Sequence, residues 1–150
     1  MTGRRAPAVR TIAVGVDGSP DAEAALDWAA ALGRQTGAVV VAVHAEGLLE
    51  HGHDRERLVG ELEATLTRLA AEHDLAADRF RLVTDAGEPC SVLCRAAGPP
   101  VEADLLVVGS RGRGAHAGLV LGSTSHALAE RSPVPLVIVG SRGPAGPPPG

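Results

Sequence analysis

Between Gly109 and Ser125 the chain carries glycines at 109, 112 and 122, in the spacing G-x2-G-x9-G-S. Glycine lets backbone N–H groups approach an anion with no Cβ in the way. Gly122-Ser123-Thr124-Ser125 then leads into HALAERS, the expected start of a helix. Unpaired N–H donors and the helix dipole favour negative charge at such a start. The combination suits phosphate, with the hydroxyls of Ser123 and Ser125 as further donors. Arg111 and Arg113 are placed for bidentate phosphate contacts, and serve equally well as solvated surface charges. A glycine-rich loop after a strand also often does no more than turn the chain. All 14 basic residues are Arg, so a Walker-type GxxxxGK[ST] loop is excluded. Any phosphate binding must therefore rest on backbone and arginine.

Other residues with chemical capacity are fewer. Asp17 closes an apolar run, and its carboxylate can accept hydrogen bonds from sugar hydroxyls or a base, or else cap the turn that follows. Gly112 to Gly118 reads as G-x-G-x-x-x-G, near a dinucleotide fingerprint. That fingerprint belongs on a first βα turn with an acidic residue about twenty positions on, and no complete βα unit follows here. The dehydrogenase reading fails. His51-Gly52-His53 lacks a third metal ligand, and Cys90 and Cys94, four apart with no nearby His, do not make a zinc site. The cysteines read as small buried apolar residues with no assigned role. No catalytic set is evident: there is no Lys and no clustered acidic pair in the loop for Mg²⁺, and His116 and His126 stand without placed partners.

The elements that must position these groups follow from periodicity. Residues 11–16 form an apolar, β-branched run suited to a strand buried on both faces. Ser19 is a good N-cap, Pro20 fits the first helical position, and Asp21 and Glu23 suit the first turn. Ala25, Trp28, Ala29 and Leu32 then recur as an inward stripe on a helix ending near Gly37. Residues 38–45 make a second strand, 46–54 a polar loop, and 55–73 a helix with Leu58, Leu62, Leu66 and Leu69 on one face. Residues 80–85 are a third strand, followed by a short helix through about Ala97 and a turn at Gly98-Pro99-Pro100. Leu105–Gly109 is the fourth strand and Ser123–Arg131 a helix. A fifth strand covers 134–139, and its prolines mark an edge or a strand start. Alternating strands and helices predict an α/β fold, a parallel sheet covered on both faces. Periodicity alone does not set the strand order.

Composition bounds the rest. Hydrophobic residues make up 45% but aromatics only 1%, so the core is built from Ala, Val and Leu. The net charge of −4 argues against a nucleic-acid surface, which shows as a clustered basic face. MTGRRAPAVR has no apolar stretch of a secretory signal, and no run is long enough to span a bilayer, so a soluble, cytoplasmic protein without membrane contact is expected. Residues 10–140 form one domain, with a disordered leader at 1–9 and a disordered Pro/Gly tail at 141–150.

Together with the loop, the segments VGVDGSP, VVVAVHA, VTDAGEP and SPVPLVIV occur in an order that resembles the universal stress protein family, in its ATP-binding branch, over about residues 10 to 140. The resemblance implies an open five-stranded sheet of order 3-2-1-4-5. It implies that Gly15, Val16 and Asp17 line the nucleoside wall, that Ala45 meets adenine through its backbone, and that Val108 and Gly109 lie beside the ribose. Gly112 would let the loop fold over the phosphates, and Gly122, Ser123, Thr124 and Ser125 would bind them, with Arg111 nearby. The resemblance further implies ATP with Mg²⁺ as the ligand and a homodimer paired through the last strand. The protein would then be a regulatory module of the stress response with little or no turnover. A slow ATPase or phosphotransferase, and a chaperone-like or scaffold member that binds no nucleotide, are the alternatives. The chain departs from the family pattern at residues 98–100, far from the ligand end.

Overall fold

The computed structural model describes residues 8–47, 52–111 and 121–140. Five strands alternate with four α-helices: β1 (Thr11–Gly15), α1 (Pro20–Thr36), β2 (Val39–Glu46), α2 (His53–Glu72), β3 (Phe80–Ala86), α3 (Pro89–Arg95), β4 (Leu105–Gly109), α4 (Ser123–Arg131) and β5 (Leu136–Val139). A short 3₁₀ turn, Ala77–Arg79, leads into β3. The strands form one sheet in the order β3-β2-β1-β4-β5, and every pairing is parallel. This is the order the family resemblance implies.

Alternate residues of each central strand divide between two cores, as a sheet covered on both faces requires. Ile12, Val14, Val40, Ala42 and Val107 pack under α1 and α2, together with Leu58, Leu62, Leu66 and Leu69 of α2. Ala13, Val41, Val43, Leu106 and Val108 face α3 and α4, meeting Cys90, Val92, Leu93 and Leu128. The four leucines expected on one face of α2 are all buried, each contributing roughly 1.5–3 kcal/mol by leaving water.

The inward face of α1 differs from the expected stripe. Trp28 is 39% exposed, while Ala22, Ala25, Leu26, Ala29 and Ala30 are buried. The stripe is rotated toward small residues because a helix lying close on the sheet has no room for an indole. At its start Ser19 is the N-cap, accepting from the Ala22 N–H at 3.2 Å, with Pro20 in the first turn, and Gly37 caps the far end. The second strand is shifted by one residue, Val39–Glu46 instead of 38–45, and the third runs one residue further than the pattern suggested, because Glu46 still pairs with Ala86. α2 begins earlier than expected, so His53 is helical and exposed, and His51 lies outside the described residues. β5 starts after Pro135, whose carbonyl nevertheless accepts from the Leu106 N–H at 3.0 Å. β5 borders β4 alone and all four of its residues are half-buried, the condition of an edge. No helix of the described residues is long and apolar enough to cross a membrane. The expected leader and tail lie almost wholly outside the described residues.

Candidate functional site: the exits of strands one and four

β1 and β4 are neighbours whose connections leave toward opposite faces, α1 on one side and α4 on the other. Open α/β sheets bind ligands in the crevice beyond the strand C-termini at such a reversal. The structure brings Gly15, Val16 and Asp17 to this end, with Val108, Gly109 and Arg111 beside them and Gly122 to Ser125 following. Ala45 is the last residue but one of β2 at the same edge, half-buried and paired with Asp85. Gly112 and Arg113 lie outside the described residues.

The residue that organises this end is Asp21, which the sequence marked only as a helix-start acid. It is 6% exposed. Its Oδ2 accepts from the Ser110 hydroxyl and from the Arg111 N–H, each at 3.0 Å, and Arg111 Nε lies 3.7 Å away. Gly109 sits so close that a Cβ there would stand 2.6 Å from the carbonyl carbon of Asp21. The exit of β4 is thus docked on the first turn of α1, and Gly109 is glycine because that docking leaves no room for a side chain. Arg111 is tethered here instead of reaching freely into solvent. No local signal announces Asp21, since Ser110 is 89 positions away.

A second set of bonds closes the base of the loop. The Ser110 carbonyl accepts from the Gly122 N–H at 2.6 Å and from the Ser125 hydroxyl at 3.0 Å. Ser125 Oγ also lies 3.1 Å from the Gly122 carbonyl, and the residue is buried. Its single hydroxyl proton is committed to carbonyls, so Ser125 staples the loop shut and is not the outward hydroxyl donor expected from the sequence. The Gly122 N–H is spent in the same way. Gly122 has φ −73° and ψ 169°, an ordinary extended conformation, so backbone freedom is not why glycine stands there.

What remains for a ligand is the first turn of α4. The N–H groups of Ser123, Thr124 and Ser125 have no intrahelical acceptor, because the ladder begins with the His126 N–H bonding to the Gly122 carbonyl at 3.0 Å. Among the described residues no side chain caps this helix, and no acidic residue lies in its first turn. Ser123 is exposed and Thr124 half-buried, so their hydroxyls are accessible.

The β1 side is more firmly committed. A Cβ at Gly15 would stand 2.8 Å from Leu93 Cδ1, which gives that glycine a packing reason. The Val16 N–H bonds to the Val43 carbonyl at 3.0 Å, and the Val16 carbonyl lies 3.1 Å from His44 Nδ1. Because a carbonyl only accepts, this contact places a proton on Nδ1. His44 is 2% exposed, a buried polar anchor that the apolar run of β2 concealed. Asp17 Oδ1 accepts from the Ser19 N–H at 2.9 Å, the turn role weighed for it. A carboxylate has about four acceptor positions, so this bond leaves capacity for others.

A sequence model described as the universal stress protein family matches residues 8–140. The chain belongs to the universal stress protein family. A universal stress protein of Mycobacterium tuberculosis is 31% identical over 150 residues, covering 95% of this chain and 52% of the relative. The chain spans about half the length of the curated relatives it matches, 52% of one and 44% of another. A solved universal stress protein in complex with cAMP aligns with a TM-score of 0.67 at 28% identity, covering 89% of this chain and 98% of that one. The universal stress protein UspA of Lactobacillus plantarum gives a TM-score of 0.70 at 21% identity, over 89% and 99% of the two chains, a likeness of fold alone.

Two further features of this universal stress protein lie near the site. Glu46, at the end of β2, accepts from Arg55 Nη2 at 2.6 Å and Nε at 2.9 Å, which joins β2 to the start of α2. The arginine hydrogen bond holds the Glu46 carboxyl below the usual range, against the opposing effect of burial. Cys90 and Cys94 are free thiols on α3. Burial pushes the Cys90 thiol up, with Cys94 adding to the shift, so it is a packed apolar group with little thiolate character, as the sequence suggested.

Proposed function

We propose that this universal stress protein binds an adenine nucleotide, ATP with Mg²⁺, across the exits of β1 and β4. It would act in the cytoplasm as a regulatory module of the stress response, its nucleotide state read by partner proteins. The observation that carries this reading is the uncapped first turn of α4, stapled in place by Ser110 and facing the switch point of the sheet. The phosphates would rest on the N–H groups of Ser123, Thr124 and Ser125, with the Gly112 turn over them. Val108 and Gly109 would lie beside the ribose, and Gly15, Val16, Asp17 and Ala45 toward the nucleoside. The cAMP held by a solved relative at 28% identity supports an adenine ligand.

Turnover is expected to be low. Phosphoryl transfer needs fixed cations and a positioned nucleophile. Amides and hydroxyls bind ground and transition states about equally, which does not raise turnover. Arg111 leans on Asp21, which makes it a poor arginine to clamp a leaving phosphoryl group. Hydrolysis should therefore stay well below the roughly 1 s⁻¹ at which ordinary enzymes begin. Calorimetric titration with Mg-ATP, ADP and cAMP tests binding, comparing wild type with Ser123→Glu. Equal affinities in the two proteins would remove the α4 turn from the site. Phosphate release near or above that rate would make the protein an ATPase.

The partner reading is a homodimer through β5. Its support is the edge position of β5 and the half-exposure of Leu136–Val139, whose outer backbone groups a copy of the same strand would satisfy. Sedimentation at micromolar concentration should show a dimer, and a lone 15.2 kDa species would refute it.

A further inference from the structure

Far along the α1–α2 seam from the strand exits, Asp27 of α1 meets Glu72 and His73 at the end of α2. One ligand atom from each lies within 4.8 Å of the other two. His73 is the C-cap of α2, its backbone N–H bonded to the Leu69 carbonyl at 2.9 Å, and its side chain is 21% exposed. Its Nε2 stands 2.7 Å from Asp27 Oδ1, so the imidazole is already turned toward α1. Glu72 Oε1 receives Arg68 Nη1 at 3.1 Å. A carboxylate carries two oxygens, so that contact does not exhaust it.

We propose that Asp27, Glu72 and His73 form a binding site for a late first-row divalent cation, Zn²⁺ foremost, which clips α1 to α2. One imidazole nitrogen and two carboxylate oxygens are a donor set suited to zinc, whereas Mg²⁺ and Ca²⁺ prefer oxygen alone. Three protein ligands and one water complete a four-coordinate shell. Bonds of about 2.0–2.1 Å in tetrahedral geometry set the donors about 3.3 Å apart. That spacing lies between the 2.7 Å His73–Asp27 contact and the 4.8 Å outer limit of the cluster, within reach of side-chain adjustment. The metal takes the Nε2 lone pair with the ring proton on Nδ1, so a neutral ring only shifts its proton from Nε2 to Nδ1 and a protonated ring also releases one proton to solvent. Two carboxylates and a neutral imidazole then balance the dication. Arg68, held between Glu23 and Glu72, is the cation that opposes it. The site is independent of the nucleotide reading, since none of its residues lies at the strand exits.

The test is calorimetric titration of nucleotide-free protein, prepared without a histidine tag, with zinc chloride alone. Wild type should bind zinc one-to-one, and Asp27→Asn and His73→Gln should each weaken that binding at least tenfold. Asp27 is exposed, so its isosteric variant keeps the test valid if the His73 variant folds poorly. Zinc should also raise the melting temperature of wild type and not of the variants, because a ligand of the native state stabilises it. Absence of saturable zinc binding, or equal affinity in wild type and Asp27→Asn, would overturn the proposal. Cobalt replaces zinc as a spectroscopic probe: d–d bands without a thiolate charge-transfer band support the site. A thiolate band would place the metal on Cys90 and Cys94 and overturn it.

Discussion

α1 and α4 both begin at the C-terminal edge of the sheet, on either side of the β1–β4 boundary, and they treat their first turns in opposite ways. α1 is closed: Ser19 caps it, Pro20 removes one donor, and Asp21 and Glu23 supply negative charge. α4 has Gly122 at its N-cap, no capping side chain and no acid in the first turn. α2 also lacks a capping side chain but has Asp54 and Glu56 in its first turn, and α3 is capped by the Glu88 carboxylate. Replacing one of Ser123, Thr124 and Ser125 in the first turn of α4 with an acid takes a single substitution and would gain roughly 0.3–1 kcal/mol from the helix dipole. Leaving donors exposed at one helix start, beside the switch point, is what a site for an anionic ligand requires. The acid of α1 that reaches β4, Asp21, is engaged by the Ser110 hydroxyl and the Arg111 N–H.

The largest effect that would break this contrast is expected from Asp21→Ala. The variant loses the acceptor for the Ser110 hydroxyl and the Arg111 N–H, and hydrogen bonds to charged groups contribute about 1.5–3 kcal/mol each. Urea unfolding at neutral pH should show a loss of about 3 kcal/mol, with nucleotide affinity falling as the β4 exit loosens. An unchanged midpoint would mean that Asp21 does not hold the loop base.

Ser123→Glu sharpens the comparison because its two consequences have opposite signs. A carboxylate in the first turn of α4 should leave folding stability unchanged or raise it by about 0.3–1 kcal/mol. The same charge should repel phosphates and weaken nucleotide binding about tenfold, or about 1.4 kcal/mol. If stability and affinity fell together, the residue would be structural and the contrast with α1 would lose its meaning.

The smallest effect concerns α3, whose cap is itself an acid. The Ser91 hydroxyl, with the N–H groups of Cys90 and Ser91, holds the Glu88 carboxyl below its usual range. A carboxyl depressed in the folded state stabilises above the unfolded pKa, and that stabilisation is lost as pH falls through the folded value. Urea midpoints of wild type and Glu88→Gln should therefore differ at pH 7 and converge under strongly acidic conditions. A gap that persists in acid would assign the difference to something other than the ionised cap.

Much of this architecture was legible in the chain because it rests on local or periodic signals. β4 and α4 fall where the apolar run, the glycines and the serines put them, and Ser19-Pro20 opens α1 as caps do. The leucine stripe of α2 reads directly as an inward face. The stripe of α1 misled at Trp28, because periodicity ranks hydrophobicity while the distance between helix and sheet ranks size.

The sequence by itself determined the class of the fold, the placement of a glycine- and serine-rich turn after the fourth strand, and, through the order of its motifs, the family. Only the tertiary structure decided which of those groups stay uncommitted at the start of α4 and which hold the base of the loop. Ser125 and Gly122 changed from donors to staples, Gly109 and Gly15 acquired packing reasons, and Asp21 and His44 emerged as anchors. The physical reason is separation along the chain. Asp21 meets Ser110 across 89 positions, and His44 meets Val16 across 28. A hydrogen bond over such a distance leaves no periodicity behind. It exists only once the parallel sheet has set β1, β2 and β4 side by side.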